Sequence, residues 1–520
     1  MPFASECEWE KDIPLHIVHD LPEGRIRSVT ASLQVRTTGN EKLFMNGFQT
    51  WTVSRERARN NRQRGLNGLP RAVIDRFSLD RYGDYHFVEY PYTRGFSHGF
   101  SYCYFRRGHH YRLFASLDEE PGYTIFRYDF AKAQLTLERD AAGVRAAEGF
   151  HAFDLFYTEG SAEQVFDAWF RAMGITPLTD RQLFGYSSWY NRYQNIDEAA
   201  IRSDLEGCAK IFKKGDLFQI DDGWEPYVGD WLEPDAVKFP GGMKAMVDEI
   251  HAKGFKAGLW LAPFVAEERS ALYRDHQDWF LKVNGENWKD GCNWSGYYSL
   301  DIDHPEVLAY LEDVFTRVKD EWGFDLVKLD FLYAAAPFGN ERESRSGRMI
   351  RAMKMIRKWC GDMKILGCGV PFMSAFGLVE YCRISCDVSL DWNDRPHMSV
   401  VHRERPSTRN AVTNIINRAG VNGRAFISDP DVFFLRSENI SLTPEEKDDL
   451  ALLDALYKGV FLTSDDPNNY TDEMKRKYAE FRYIAENARE VVFDRDNGLH
   501  VTYMLDGKHY RKRLFARRFR

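Results

Sequence analysis

The chain has 520 residues, 44% of them hydrophobic and 28% charged, with a formal net charge of −8. That length exceeds one compact core and calls for two or three domains of a folded, soluble kind. The acidic balance argues against nucleic acid as the main partner, and the longest apolar run, around FKAGLWLAPFVA, is too short to span a bilayer.

The N-terminal MPFASECEWEKD shows no basic stretch followed by an apolar run, so no signal peptide is read there. Eight cysteines are scattered without a C-x-x-C pair or zinc spacing, and the expected setting is reduced and cytoplasmic. Residues 1–175 alternate in the β manner: SVTASLQVRT, YHFVEYPYT, SYCYFRRG, YRLFASLD and YTIFRYDF read as strands of an N-terminal β-sandwich. SAEQVFDAWFRAMG then has helical periodicity, with Ser161 as its cap, and serves as the linker.

From residue 176 to 440 the grammar changes to short apolar strands alternating with amphipathic helices, which predicts a catalytic (β/α)8 TIM barrel. LFGYSSWY, DLFQIDDGW, FKAGLWLAPF, FDLVKLDFL, MKILGCG, YCRISCD and RAFISD are seven strand candidates, and an eighth is sought in 400–422. Residues 441–520 read as the last barrel helices and a small C-terminal β-domain. There VVFDRDNGLHVTYML is a hairpin with a type I′ turn at Asn497-Gly498. DRDNG lacks the spaced Glu of a calcium loop, and the basic KHYRKRLFARRFR reads as an exposed strand and tail.

FDLVKLDFLY places Lys328 and Asp330 two apart on one face of a strand otherwise suited to full burial. Buried charges are rare unless paired or chemically active. Other strand ends carry Trp189, Asp221, Asp222, Trp224, Trp260, Cys368, Arg383, Asp387, Asp429 and Asp431. In a barrel these ends converge on one pocket. Carboxylates with a Lys, an Arg and several Trp suit a neutral polyhydroxylated ligand. No glycine-rich phosphate cradle and no H-E-x-x-H pattern is present, so neither metal nor cofactor is expected.

Glycoside hydrolysis needs two carboxyl groups in unlike environments, about 5–5.5 Å apart when configuration is retained. Asp330, beside Lys328, is the candidate nucleophile, and Asp387 the general acid with a raised pKa. The residues alone leave open a structural Lys328–Asp330 pair, a sugar-binding protein without hydrolysis, and a scaffold with unrelated rim charges.

The segment FQIDDGWEPYVGDWLEPDAVKFPGGMKAMVDEIHAKGFKAGLWLAPF resembles the barrel of glycoside hydrolase family 36, the microbial α-galactosidases. LVKLDF resembles the family's nucleophile strand, YCRISCD its acid/base strand, and ISDPDVFFLR its N-D-P-D segment, with Ser428 in place of Asn. LFMNGFQTWTVSRE resembles the G-x-Q-S-W loop, with Thr50 for Ser, so the likeness covers about 40 to 440. It implies Asp330 as nucleophile and Asp387 as acid/base, and retention through a covalent galactosyl-Asp330 without cofactor. It implies Asp221 and Asp222 on the 4- and 6-hydroxyls, Lys328 on the 3- and 4-hydroxyls, and Arg383 and Cys368 toward the 2-position. Trp189 and Trp260 would line the pocket, and Trp51 would reach in from the sandwich. The implied substrate is a small-molecule α-galactoside of the raffinose or melibiose type. An α-N-acetylgalactosaminidase or a galactosyl-transferring relative would share both Asp residues. Oligomeric state is left open.

Overall fold

The computed structural model describes residues 10–19, 24–26, 29–146, 150–394 and 405–519. In the N-terminal part, two antiparallel sheets enclose a core of Leu43, Phe105, Phe114, Phe126, Leu137 and Phe153. One sheet has six strands, from Leu15–His19 at one edge to Glu56–Arg57 at the other, and the second has four: Val29–Gln34, Gln134–Asp140, Tyr123–Asp129 and Phe96–Phe100. Gln134–Asp140 alternates buried and half-buried along its length, the pattern of a strand with one face inward.

YHFVEYPYT is not a strand, contrary to its alternation. The Asp84 carbonyl accepts the N–H groups of both Phe87 and Val88, and this turn consumes the donors a ladder would need. Its apolar residues are used instead in a cluster where Val88 and Tyr90 join Phe48 and Phe100.

The linker helix is as expected. Ala162–Met173 starts at a reciprocal capping box of Ser161 and Gln164 and stops at Gly174, whose φ of +67° suits glycine. It buries Val165, Phe166, Trp169 and Phe170, and the Trp169 indole donates to the Ser116 carbonyl at 2.9 Å.

Next comes a parallel sheet that curls back on itself into a barrel. Its strands are β1 (Leu183–Ser187), β2 (Leu217–Ile220), β3 (Lys256–Leu261), β4 (Leu326–Leu329), β5 (Lys364–Gly367) and β6 (Tyr381–Arg383). They continue with β7, in two pieces (Ile427–Asp429 and Val432–Phe433), and β8 (Val460–Thr463). The first piece of β7 pairs with β6 and the second with β8, which pairs with β1 and closes the ring. β2, β4 and β8 are buried at every residue, as sheets covered on both faces require.

Two expectations need correction here. The described part of 400–422 holds no strand but a helix, Thr408–Asn417, and a short 3-10 turn; residues 400–404 lie outside the described residues. The closing strand β8 lies in the stretch read as the end of a helix, EEKDDLALLDALYKGVF and beyond. That helix ends at Tyr457, Lys458 takes a left-handed φ of +62°, and the apolar Val460–Thr463 is free to pair.

The barrel and the N-terminal sheets are joined at the loop 46–50. The Thr50 N–H donates to the Val370 carbonyl at 3.0 Å and the Phe372 N–H to the Phe48 carbonyl at 3.1 Å. Arg418, fully buried, donates to Asn46 Oδ1 at 2.9 Å, to the Gln49 carbonyl at 3.0 Å and to the Ile384 carbonyl at 2.8 Å. One guanidinium thus ties a sandwich loop to the strand-end region of β6.

At the C-terminus, Arg489–Asp494, Leu499–Leu505 and Lys508–Leu514 form an antiparallel sheet, and the last strand is exposed almost throughout. Its first turn is longer than the two-residue type I′ turn expected: Asp494 pairs with His500, and of Asn497 and Gly498 only the glycine has positive φ. The extra residues reach the N-terminal sheets, where Arg495 donates to the Tyr111 hydroxyl at 2.6 Å and Arg106 donates to Asp496 at 2.8 Å. No helix among the described residues is long and apolar enough to cross a membrane.

Candidate active site

A cavity of about 740 Å³ opens at the C-terminal ends of the barrel strands. Eight of the ten residues singled out from sequence line it: Trp51, Trp189, Asp221, Asp222, Trp260, Lys328, Asp330 and Asp387. Cys368 and Arg383 do not. Cys368 is 1% exposed and accepts the Trp51 indole N–H at 3.1 Å, so Trp51 stands between it and the cavity. Arg383 is 3% exposed and turns toward β7. Trp224 is also withdrawn, fully buried beneath Trp260 with its indole donating to the Trp260 carbonyl at 2.9 Å.

The ion pair in the floor is not the structural Lys328–Asp330 pair that the sequence leaves open. Lys328 donates to Asp221 Oδ2 at 3.0 Å, not to Asp330. Burial pulls the Lys328 ammonium down, Asp221 outweighs that, and the net effect raises its pKa, so it stays charged. Asp221 is further fixed by Gln219 Nε2 at 2.7 Å and by its own N–H donating to Ser188 Oγ at 2.9 Å.

Asp330 follows β4 directly. Its Oδ2 accepts the Trp260 indole N–H at 3.1 Å and its Oδ1 the Phe331 N–H at 3.1 Å. Phe331 has a φ of +53°, a left-handed conformation rare for an aromatic residue, and it places the ring against Trp51 with centroids 5.0 Å apart.

Asp387 lies past β6, outside any strand or helix. Its side chain is about 45% open, and its Oδ1 accepts Arg383 Nη1 at 2.9 Å. Burial in the pit raises its pKa, Arg383 and Lys328 oppose that, and the Asp330 and Asp221 carboxylates reinforce it. The net direction is upward, as a general acid needs.

Several lining residues escaped the sequence reading. Trp294, in an antiparallel excursion between β3 and β4, donates its indole N–H to Asp222 Oδ2 at 3.1 Å; Gln194 adds a second bond there at 2.9 Å. Burial raises the Asp222 pKa and, more strongly, that of Glu225 buried beside it. Tyr82, from the N-terminal part, lines the mouth and donates to Asn293 Oδ1 at 2.5 Å. None of these sits at a strand end, and only the aromatic richness of GCNWSGYY offered a signal. Among the described residues one group has the composition of a metal site, Asp278, His304 and Glu306, and it lies outside this cavity.

Residues 186–356 match the family model described as Melibiase. The curated α-galactosidase Mel36A of Lactobacillus acidophilus is 26% identical over 151 residues, 28% of this chain and 20% of its own length. The bifunctional α-galactosidase/sucrose kinase AgaSK of Mediterraneibacter gnavus is 30% identical over 226 residues, 42% of this chain and 22% of its own. The chain thus spans about a fifth of the length of these curated relatives. Among solved structures, the α-galactosidase TtGalA of Thermus thermophilus in complex with p-nitrophenyl α-D-galactopyranoside is 26% identical, with a TM-score of 0.74 over 97% of this chain and 99% of that one. The same enzyme in complex with stachyose is 29% identical, with a TM-score of 0.71 over 85% and 90%. With the strand-end residues of the barrel gathered as they are, the chain resembles the melibiase-like α-galactosidases of glycoside hydrolase family 36.

Proposed function

We propose that this protein is an α-galactosidase that removes terminal α-linked galactose from small oligosaccharides with retention of configuration. The observation that carries this reading is the pair Asp330 and Asp387, two carboxyl groups open to one cavity in unlike surroundings. Asp330, held by an indole and a backbone N–H, attacks C1 while Asp387 gives its proton to the departing glycosidic oxygen. Water then displaces Asp330 from the galactosyl ester, with Asp387 taking the water's proton and returning to its starting state. Asp221, Asp222 and Lys328 supply charged partners for hydroxyls, and Trp189 and Trp260 supply flat walls. The complexes of TtGalA with a nitrophenyl α-galactoside and with stachyose support the substrate class. The reading calls for no cofactor.

Galactose is favoured over N-acetylgalactosamine. The 2-position is taken to face Cys368 and Arg383, and Trp51 closes the wall there with its N–H on the thiol. The test is nitrophenol release from the α-galactoside and the α-N-acetylgalactosaminide, with Asp330→Ala as control. Turnover of the galactoside, lost at least about a thousandfold in Asp330→Ala at unchanged Tm, is expected. Normal turnover by that variant would sink the nucleophile assignment, and preference for the acetamido sugar would sink the specificity.

A further inference from the structure

The geometry points to Asp431 as a positioning residue for proton transfer at Asp387, acting through the peptide that follows Asp387 and through the guanidinium that touches it. The inference rests on the reading of Asp387 as acid/base.

Asp431 sits in the break of β7, after Pro430, with a φ of +84°. A residue other than glycine is rarely held there, and Asp is among the few that tolerate it. The conformation turns its side chain, 4% exposed, inward toward β6. Oδ1 accepts Arg383 Nη2 at 2.9 Å. Oδ2 accepts the Val388 N–H at 2.8 Å and lies 2.9 Å from the Tyr190 hydroxyl. Tyr190 also reaches the Val388 carbonyl at 2.6 Å, so both polar groups of the residue after Asp387 are pinned.

This matters because Asp387 has no strand or helix to hold it. Its carboxyl is located by Arg383 on one side and by the Val388 peptide on the other, and Asp431 grips both. Asp431 also shapes the charge around the acid. Arg383 faces three carboxylates, on Asp387, Asp429 and Asp431. Around Asp387 stand Lys328 on β4 and Asp330 just after it, Asp221 after β2, Cys368 after β5, and Tyr190 from the short helix after β1. Burial raises the Asp431 pKa to about 7, so above that pH its negative charge counters Arg383; removing it there leaves the guanidinium less countered at Asp387, and the acid releases its proton more readily.

Asp431→Asn tests this. The Asn amide can accept the Val388 N–H or bond near Arg383, but it cannot do both with a charge. The assay is kcat/KM on aryl α-galactosides whose phenols range from dinitrophenol, which departs without a proton, to phenol, which needs one. Expected is a loss of about a hundredfold on the phenyl substrate against less than about threefold on the dinitrophenyl one. The basic limb of the pH profile is expected to move to lower pH. Equal losses across the series with an unmoved basic limb would reduce Asp431 to a packing role and overturn the inference. If Asp431→Asn does not fold, Tyr190→Phe, which keeps the ring, is expected to show the same dependence on the leaving group at smaller amplitude. An unchanged dependence in that variant overturns the inference too. A wild-type protein that releases no phenol from any member of the series overturns the functional reading, and the inference with it.

Discussion

The carboxyl groups of Asp330 and Asp387, which line one cavity, are held by different means. Asp330 stands one residue past β4, a strand buried at every position, and the Phe331 N–H and the Trp260 indole from β3 hold its carboxyl. Asp387 stands four residues past β6 in irregular backbone, and only its neighbours aim it: Arg383 at 2.9 Å and the Val388 peptide pinned by Tyr190 and Asp431. A nucleophile attacks one atom in one step and profits from rigidity. A group that first gives and later takes a proton profits from a surrounding whose charges balance its two states. On the roles proposed for the two residues, the strand supplies the first to Asp330 and the network behind β6 and β7 the second to Asp387.

The sharpest way to break this comparison is Asp387→Asn. Removing the proton donor is expected to cut kcat/KM on poor leaving groups by about 10²–10⁴-fold and to leave dinitrophenyl galactoside far less affected. The sign of the pH effect follows from the raised pKa. The acid is active while protonated, so activity falls as pH rises through that value, and in the variant this basic limb is expected to vanish. A limb that persists would assign it to another group.

Trp51→Phe probes the nucleophile's side. It removes the N–H from Cys368 and thins the wall against Phe331, leaving both carboxylates in place. The expected outcome is about a tenfold rise in KM with a smaller change in kcat, the signature of lost ground-state binding. An unchanged KM would put Trp51 among the packing residues.

The smallest effect concerns Asp454, a fully buried carboxyl on the helix Pro444–Tyr457 facing Asp431 and Asp429. Burial raises its pKa well above the usual range, so the folded state keeps a proton that the unfolded chain releases as pH rises. Stability is therefore lost with rising pH above the unfolded value near 4. Asp454→Asn, which imitates the protonated form, is expected to raise Tm at pH 8 and leave it unchanged at pH 4. A Tm gain at both values would reject the protonation argument.

Much of this arrangement was readable in the sequence, and the parts that were not have common causes. β1 to β6 are short runs of buried apolar residues between amphipathic helices, and such runs declare themselves. The first piece of β7 is legible in RAFISD, but its continuation beyond Pro430 and Asp431 is not, and β8 follows a helix with only Lys458 and Gly459 between, so it offers no clean edge to read. In the site, residues at or just past a strand end line the cavity because strand direction fixes where they emerge. Arg383 and Cys368 do not line it, because which way an end residue turns depends on partners from elsewhere, Asp429 and Asp431 for one and Trp51 for the other. Trp294 and Tyr82 arrive on loops whose course no local pattern encodes. The sequence sets Lys328 beside Asp330, whereas its ion-pair partner Asp221 follows β2.

The loop 46–50, gripped by Arg418, couples events that are distant along the chain. Trp51 completes a wall of the cavity, so any opening that frees this loop from the barrel also dismantles the binding surface. Occupancy and docking of the two parts then become a single equilibrium: whatever sugar the cavity holds also holds the N-terminal sheets in place, and amide exchange at 46–51 slows when the barrel is filled. A cut or insertion between the two parts would cost affinity before it cost the barrel its fold.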